Sequence, residues 1–233
     1  TCATLIVDPS LYGKVGCVMS EIDPRATALT RSHYDRNARL YDVMTRGSER
    51  VMTPGRERLW QSVRGPRVLE VGVGTGKSMP YYPAGMTITA IDLSPCLLEQ
   101  ARLHAAQDHI SVDRREADVQ VLPFPDASFD TAIASCVFCS VPDPLLGLRE
   151  LRRVLVPGGQ LLLLEHVLSH RALFRPAMNL INLLVARMMG ANINRETVEN
   201  VRRAGFMKLQ IEDLWLDIVK RIEARNPALA AAA

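Results

Sequence analysis

The sequence predicts a mixed α/β fold built on a mostly parallel, Rossmann-like sheet. Short apolar segments alternate with helical patterns along residues 67–226, as in successive βαβ units. A glycine-rich segment follows the first of these apolar segments, and residues 160–166 contain four consecutive leucines, as in a central strand buried on both faces. With 48% hydrophobic and 23% charged residues in 233, the composition argues against a disordered or fibrous protein.

The N-terminal part divides at about residue 30. Residues 1–30 have no apolar period and are predicted to be an irregular arm. From residue 31 to 66 the pattern is helical. Apolar residues recur at three- and four-residue steps over 32–44, which predicts an amphipathic helix, and a second helix is expected over 48–63, broken or kinked at Thr53–Gly55.

The remaining segment, residues 67–226, is predicted to form one domain. Its expected strands are residues 67–71, 87–91, 110–116, 129–135, 160–166, 206–213 and 217–225, and its expected helices are 95–106, 144–155, 173–189 and 195–204. Ser94, Asp143 and Asn194 are the predicted N-caps. Residues 157–159, Pro-Gly-Gly, are expected to form a turn. Ligands of such sheets bind beyond the carboxyl ends of the strands.

The loop after the first strand contains Gly72, Gly74 and Gly76 at two-residue steps. Glycines there allow a tight turn and close approach to a ligand, and the N-terminus of a following helix would offer free N–H groups. A dinucleotide fingerprint would require glycine where Lys77 stands, which disfavours a nicotinamide-dependent oxidoreductase. A purely structural turn is the alternative.

Two acidic residues follow the next strands. Asp92 ends the second strand, 20 residues after Gly72, where a carboxylate can accept hydrogen bonds from two ribose hydroxyls. Asp118, beside Val119, could accept a hydrogen bond from an adenine amine while the apolar neighbour covers the ring. Asp92 could instead be a capping or surface residue, and Asp118 a turn residue.

Together these motifs resemble class I S-adenosylmethionine-dependent methyltransferases. The resemblance rests on the loop of residues 70–76, the Asp92 and Asp118 positions, the stretch 122–130 and the Arg153–Gly159 segment, and it covers about residues 30–225. It implies a seven-stranded sheet with the last strand antiparallel and S-adenosylmethionine as cofactor. In such an enzyme the sulfonium is already a strong electrophile, so the protein mainly aligns the acceptor and excludes water.

The resemblance implies these cofactor-binding residues: Glu70, Gly72, Gly74, Gly76, Asp92, Leu93, Asp118, Val119 and Ser135. The glycines would pass under the methionine part, and Glu70 would orient their loop or reach the methionine amine through water. Asp92 would hold the ribose, with Leu93 beside the adenine. Ser135 would face the methionine end and the acceptor.

Residues 34–42 resemble the Y-D-x-x-A-x-x-Y-D helix of ubiquinone and menaquinone C-methyltransferases and of bacterial phospholipid N-methyltransferases. This implies that residues 31–66 form a helical lid in which Tyr34 and Tyr41 are candidate catalytic residues; packing in an amphipathic core is the alternative. His166 would lie at the mouth of the acceptor site, where it could accept a proton or position a phosphate. A structural histidine bonded to a loop carbonyl is the other interpretation.

Residues 136–141 and the Glu165-His166 pair are most similar to phospholipid N-methyltransferases and to animal thiol methyltransferases. The first expected acceptor is therefore the amine of phosphatidylethanolamine and its methylated forms. C-methylation of a polyprenyl quinol, S-methylation of a thiol and a non-catalytic cofactor-binding role stay open. Cys136 and Cys139 are predicted to line the core or the pocket rather than bind a metal, because no second cysteine pair accompanies them.

The charge and apolar patterns predict a protein that can meet an anionic membrane surface. Residues 31–67 carry nine arginines against four acidic residues, although the net charge of the chain is only +3 and does not indicate nucleic acid. These arginines could face anionic lipid or an acidic ligand, and a solvated helix face is the alternative. The apolar helix of residues 173–189, with a polar stripe of Arg171, Arg175, Asn179 and Asn182, could cover the active site and accommodate acyl chains. Ordinary packing on the sheet is the alternative.

No apolar run approaches the roughly 18 residues that span a bilayer, and no secretory signal is evident. Five cysteines without a regular framework indicate a reducing compartment. We therefore expect a cytoplasmic protein, either soluble or peripheral on the inner membrane face, and its oligomeric state is left open.

Overall fold

The computed structural model describes residues 22–172 and 174–228. A seven-stranded sheet runs through its centre in the order β3-β2-β1-β4-β5-β7-β6. The strands are β1 (Arg67–Val71), β2 (Thr87–Asp92), β3 (Asp113–Glu116), β4 (Phe129–Ser135), β5 (Leu155–His166), β6 (Met207–Trp215) and β7 (Val219–Arg225). The first five pair in parallel, and β7 runs antiparallel to both neighbours. This confirms the predicted α/β class and the antiparallel last strand.

Six α-helices accompany the strands in the described part of the chain. They are α1 (Pro24–Asn37), α2 (Tyr41–Gln61), α3 (Pro95–Gln107), α4 (Pro144–Val154), α5 (Phe174–Met189) and α6 (Thr197–Arg203), with 3₁₀ turns at Ala38–Leu40 and Met79–Tyr81. The side chains of Ser94 and Asp143 accept hydrogen bonds from the first turns of α3 and α4, which confirms them as N-caps. None of these helices is long and apolar enough to cross a membrane.

The middle of the sheet is buried, because the strands at its centre carry apolar side chains on both faces. In β5, residues 161–164 are all leucine and have no exposed surface, and in β4 Ala132 and Ala134 are equally buried. Side chains from both faces join the core there, as expected for a parallel sheet covered by helices. The centre of the fold is therefore rigid, and the carboxyl ends of β1, β2 and β4 project from it.

Helix α2 runs unbroken through Pro54, so the predicted break at Thr53–Gly55 is wrong. The helix lies close against the sheet here, because a Cβ atom on Gly55 would come within 2.7 Å of the Leu214 side chain and 3.0 Å of that of Leu164. Leu59 and Trp60 are buried in the same contact. Tertiary packing of this face outweighs the local cost of proline.

Other predicted boundaries shift. Helix α1 begins at Pro24, so the predicted arm of residues 1–30 overlaps it, while residues 1–21 lie outside the described chain. The predicted helix over 32–44 is interrupted by the 3₁₀ turn at Ala38–Leu40. Residues 157–159 belong to an irregular part of β5 instead of forming a separate turn.

The predicted cap at Asn194 is also wrong. Helix α6 begins at Thr197 after Glu196, which makes no side-chain cap. The Asn194 amide instead donates to the side chain of Asn179 on α5, at 3.1 Å.

Candidate active site

A cleft opens at the carboxyl ends of β1, β2 and β4. It has two adjoining lobes, which share Tyr34, Tyr41, Gly72, Gly74, Ser135 and Cys136. The first lobe holds about 650 Å³ of empty space, and the second about 1180 Å³. Helices α1 and α2 lie over both lobes, so the sheet forms the floor of the cleft and the N-terminal helices form its cover.

Asp92 lies in the first lobe, at the end of β2. Its carboxylate accepts hydrogen bonds from the backbone N–H groups of Gly74, at 2.8 Å, and Ser94, at 2.9 Å. Burial raises the pKa of Asp92 to about 6, against the opposing effect of these bonds. The Asp92 carboxylate is thus mainly ionised at neutral pH, and its hydrogen bonds connect the glycine loop to the start of α3.

The far end of the first lobe is formed by the loop after β3. Asp118, Val119 and Leu93 line it, as the sequence predicts. The Asp118 carboxylate accepts hydrogen bonds from the Gln120 backbone at 2.9 Å and from the Thr27 hydroxyl of α1 at 3.3 Å. The cover therefore touches the rim of the lobe at this end.

The glycine loop between β1 and the 3₁₀ turn forms the floor under both lobes. Gly72, Gly74 and Gly76 all have positive φ angles, of 65°, 57° and 91°. A Cβ atom on Gly74 would meet nothing within 4 Å, which makes this the open side of the loop, whereas one on Gly76 would strike the Met79 sulfur at 2.9 Å. Gly76 shapes the turn from behind and does not line the cleft.

No α-helix follows this loop, contrary to the sequence-based expectation. The chain makes only the 3₁₀ turn Met79–Tyr81 before β2. Glu70 lies behind the loop, where it accepts a hydrogen bond from the Tyr82 hydroxyl, and burial raises its pKa to about 7. Its carboxylate thus ties β1 to this turn and does not line either lobe.

The two tyrosines of the cover face both lobes. The ring centroids of Tyr34 and Tyr41 lie 6.1 Å apart, and the Tyr34 hydroxyl is hydrogen-bonded to that of Ser140. Burial raises the pKa of both phenols well above their ordinary value, so they stay protonated at neutral pH. They offer aromatic faces and neutral hydroxyls, not bases.

Hydrogen bonds fasten the cover to the floor at several points. Ser94 donates its hydroxyl to Asp35 at 2.5 Å, and Thr75 of the glycine loop donates to Asp42 at 2.8 Å. These partners lie 59 and 33 residues apart in sequence. The sequence does not indicate either pair.

A cluster of charged side chains lines the second lobe, and no local sequence pattern indicates it. Arg56 is buried, while Glu49 and Lys77 are half-buried. The Glu49 carboxylate lies 3.0 Å from the Lys77 ammonium and 2.9 Å from the Arg56 guanidinium. Burial disfavours its charge, but the hydrogen bonds from Arg56 and Lys77 outweigh this and lower the pKa of Glu49. Residues of α2 and the glycine loop thus build a fixed polar wall.

His166 and Cys136 form the opposite side of the second lobe. The Nδ1 atom of His166 lies 3.6 Å from the Cys136 sulfur, and burial lowers the pKa of the imidazole, which is therefore neutral at pH 7. The structure brings His166 into one cleft with both tyrosines. Cys136 and Cys139 also line this lobe, as free thiols.

Glu165 supports the loop that carries these cysteines. One oxygen of its carboxylate accepts from the backbone N–H groups of Val137, at 2.9 Å, and Phe138, at 3.1 Å. The other oxygen is buried without a partner in the described part of the chain, and burial raises the pKa of Glu165 to about 7. Cys136 has a positive φ of 57°, so this carboxylate holds a strained loop in place.

Comparison with known proteins agrees with this geometry. Residues 69–163 match the family model described as a methyltransferase domain. A demethylmenaquinone methyltransferase of Clavibacter sepedonicus is 30% identical over 93% of this chain and 91% of its own length. The chain belongs to the S-adenosylmethionine-dependent methyltransferases.

Other relatives of this methyltransferase act on different acceptors, according to their names. A phosphatidylethanolamine N-methyltransferase of Cereibacter sphaeroides is 38% identical over 45% of this chain, but the match spans only about half, 53%, of that enzyme. A human thiol S-methyltransferase is 30% identical over 74% of this chain and 76% of its own length.

A solved structure from Thermotoga maritima, a possible histamine N-methyltransferase, shares the fold. It superposes with a TM-score of 0.66 at 20% identity, covering 84% of this chain and 99% of its own.

The cleft of the methyltransferase fits S-adenosylmethionine, the cofactor of this family. The Ser135 hydroxyl is buried without a hydrogen-bond partner among the described residues, although it lines both lobes. Such a group indicates a missing polar ligand. The open side of Gly74 and the acidic groups of the first lobe lie beside it, so one elongated polar molecule can reach all of them.

Proposed function

We propose that the methyltransferase transfers a methyl group from S-adenosylmethionine to the amine of phosphatidylethanolamine and of its methylated forms. The observation that carries this proposal is the composition of the second lobe. Tyrosine rings and charged side chains line this lobe together with the apolar side chains of Met44, Val185, Met189 and Ile193. A polar headgroup and an apolar chain can therefore be accommodated together. The phosphatidylethanolamine N-methyltransferase relative supports the same acceptor.

We assign the first lobe to the nucleoside of the cofactor. Asp92 would accept hydrogen bonds from the ribose hydroxyls, with Leu93 beside the adenine. Asp118 and Val119 would hold the adenine itself. Gly72, Gly74 and Ser135 would contact the methionine part, while Gly76 and Glu70 would shape the loop from behind.

The second lobe would position the acceptor. The bound cofactor supplies an activated methyl group, so the protein needs to align the amine, exclude water and receive a proton. The faces of Tyr34 and Tyr41 attract an ammonium group through their negative quadrupoles. His166 is neutral at pH 7 because burial lowers its pKa, and it can accept the proton that the amine must lose.

A second candidate acceptor is a polyprenyl quinol, methylated on a ring carbon. The demethylmenaquinone methyltransferase relative, which matches 93% of this chain, favours it. An apolar tail could pack against the same apolar side chains of the second lobe. The charged side chains of this lobe would then face an uncharged ring. A thiol is the third candidate, through the human relative.

The test has two steps. First, S-adenosylhomocysteine is titrated into the protein by calorimetry, and micromolar binding is expected. Second, labelled methyl transfer is measured with phosphatidylethanolamine vesicles, a demethylated menaquinol and an alkyl thiol. Methylated lipid would support the proposal, whereas methylation of the quinol or the thiol alone would replace it. Absence of cofactor binding by the folded protein would contradict the assignment of the cleft.

A further inference from the structure

Helix α5 turns large apolar side chains outward and a polar side chain toward the protein, which is the reverse of an ordinary surface helix. Its asparagine at position 182 is buried, accepting a hydrogen bond from the Ile193 backbone at 2.8 Å. Meanwhile Leu180, Leu183 and Leu184 are 59–71% exposed. The polar stripe predicted for this helix thus partly faces the protein, and large apolar side chains face outward. Such a helix requires something to cover its outer face.

The exposed apolar surface continues onto the cover of the cleft. Asn37 of α1 donates to the backbone oxygen of Met188 at 3.4 Å, which places the end of α5 beside the turn that leads into α2. There Leu40, Val43 and Met44 are 41–66% exposed. We call these three side chains, with Leu180, Ile181, Leu183, Leu184 and Met188, the apolar face.

The basic residues around the apolar face have no acidic partners. Arg36, Arg39, Arg46 and Arg50 are exposed on α1, α2 and the turn between them, and Arg187 is exposed on α5. None of these five forms an ion pair with the described residues.

The neighbouring acidic groups of α2 are paired with a lysine. Asp42 and Glu49 of α2 both contact Lys77 at the cleft. Helix α5 itself contains no acidic residue. The outer surface around the apolar face is therefore positively charged.

We propose that the apolar face docks on an anionic lipid bilayer, and that a lipid acceptor enters the second lobe directly from that bilayer. This inference rests on the proposed lipid acceptor. The leucines would enter the headgroup region while the arginines meet anionic headgroups. A second copy of the chain fits less well, because a twofold contact would bring the same arginines together.

The same two elements also frame the second lobe. Val185 and Met189 lie on the inner side of α5, and Met44 lies at the start of α2, and all three line the lobe. A lipid headgroup that leaves the bilayer at the apolar face would thus enter the acceptor site between α5 and α2, without crossing bulk water.

The test uses the full chain and vesicles that lack the proposed acceptor. Binding to vesicles of phosphatidylcholine alone is compared with binding to phosphatidylcholine mixed with phosphatidylglycerol, by sedimentation at 50 mM and at 500 mM salt. We expect binding to the anionic vesicles at low salt and a loss of at least fivefold at high salt, since salt screens the arginine contribution.

The triple variant Leu180→Ser, Leu183→Ser, Leu184→Ser should reduce vesicle binding at least tenfold. A control variant, Met207→Ser, Ile211→Ser, Trp215→Ser, removes three apolar side chains of β6 that are 40–50% exposed and should bind like the unchanged protein. Both variants should keep their affinity for S-adenosylhomocysteine, which shows that the cleft is folded.

The proposal would be overturned if the unchanged protein did not bind anionic vesicles, or if both variants lost vesicle binding equally. It would also be overturned if the unchanged protein formed a dimer in solution that the α5 substitutions, but not the β6 substitutions, dissociated. Since phosphatidylglycerol carries no amine, vesicle binding is independent of methyl transfer. Binding without methylation of phosphatidylethanolamine would thus contradict the proposed acceptor and leave the docking surface intact.

Discussion

The hydroxyl of Thr75 donates a 2.8 Å hydrogen bond to the carboxylate of Asp42. Thr75 lies in the glycine loop on the floor of the cleft, and Asp42 lies in the first turn of α2 in its cover. The bond therefore joins the floor of the cleft to its cover. We propose that this cover opens when the cofactor leaves.

Replacing Thr75 by valine should speed release of the cofactor product. The variant keeps the shape of this buried side chain but removes the hydrogen bond, which contributes about 1 kcal/mol to closure. Stopped-flow measurements should show S-adenosylhomocysteine dissociating about fivefold faster. Thr87→Val, at the exposed start of β2, is the matched control and should leave the rate unchanged. Equal rates in all three proteins would mean that this contact does not restrain the cover.

Asp92→Ala should weaken cofactor binding by about 1–3 kcal/mol, because charge-assisted hydrogen bonds to the ribose are lost. Calorimetric titration with S-adenosylhomocysteine measures this. Asp113→Ala, which removes an exposed carboxylate from β3, should bind normally. A folded Asp92→Ala protein with unchanged affinity would show that the ribose is held elsewhere.

Cofactor affinity should also depend on pH through Asp92. Its pKa is about 6 in the free protein, so protonation competes with binding at lower pH. The dissociation constant should be constant above pH 7 and rise toward tenfold per pH unit below pH 6. Glu70 and Glu165, whose pKa burial raises to about 7, are both still present in the Asp92→Asn variant. A comparison of the variant with the unchanged protein therefore tests Asp92, and parallel curves for the two proteins would refute its effect.

Glu165→Gln should stabilise the protein at alkaline pH. Burial raises the pKa of Glu165 to about 7, above its unfolded value, so the native protein loses stability as pH rises through that range. Glutamine keeps the oxygen that accepts from Val137 and Phe138 but carries no charge. The advantage of the variant should grow from pH 5 to pH 8 by about 1–3 kcal/mol, measured by urea unfolding.

The exposed Glu57→Gln change on α2 should give no such pH-dependent difference. If Glu165→Gln changes stability equally at pH 5 and pH 8, the charge of Glu165 has no measurable cost in the native protein.

Tyr41→Phe should retain methyl transfer to within about threefold, while Tyr41→Ala should lose tenfold or more. The phenol remains protonated because burial raises its pKa, so we assign its contribution to the aromatic face, which phenylalanine keeps. Turnover with phosphatidylethanolamine vesicles at saturating cofactor measures both. Equal losses in the two variants would assign the contribution to the hydroxyl instead.

Local patterns predict much of the fold. Apolar runs mark the central strands because parallel strands are buried on both faces, and Ser94 and Asp143 act as caps because capping depends on neighbouring residues. The break predicted at Pro54 failed because the contact of Gly55 with Leu164 and Leu214 is invisible in a local pattern. Helix α5 shows the same limit, since its apolar period does not reveal which face lies outward.

The αβ alternation, the glycine loop and the acidic residues after β2 and β3 are predictable from the amino-acid sequence, because each is encoded within a few neighbouring positions. The contacts of Lys77 with Glu49 and of Thr75 with Asp42, and the outward direction of the α5 leucines, become visible in the folded chain. These relationships join segments that are distant in sequence. The packing of the helices against the sheet decides which side chains contact one another and which stay exposed.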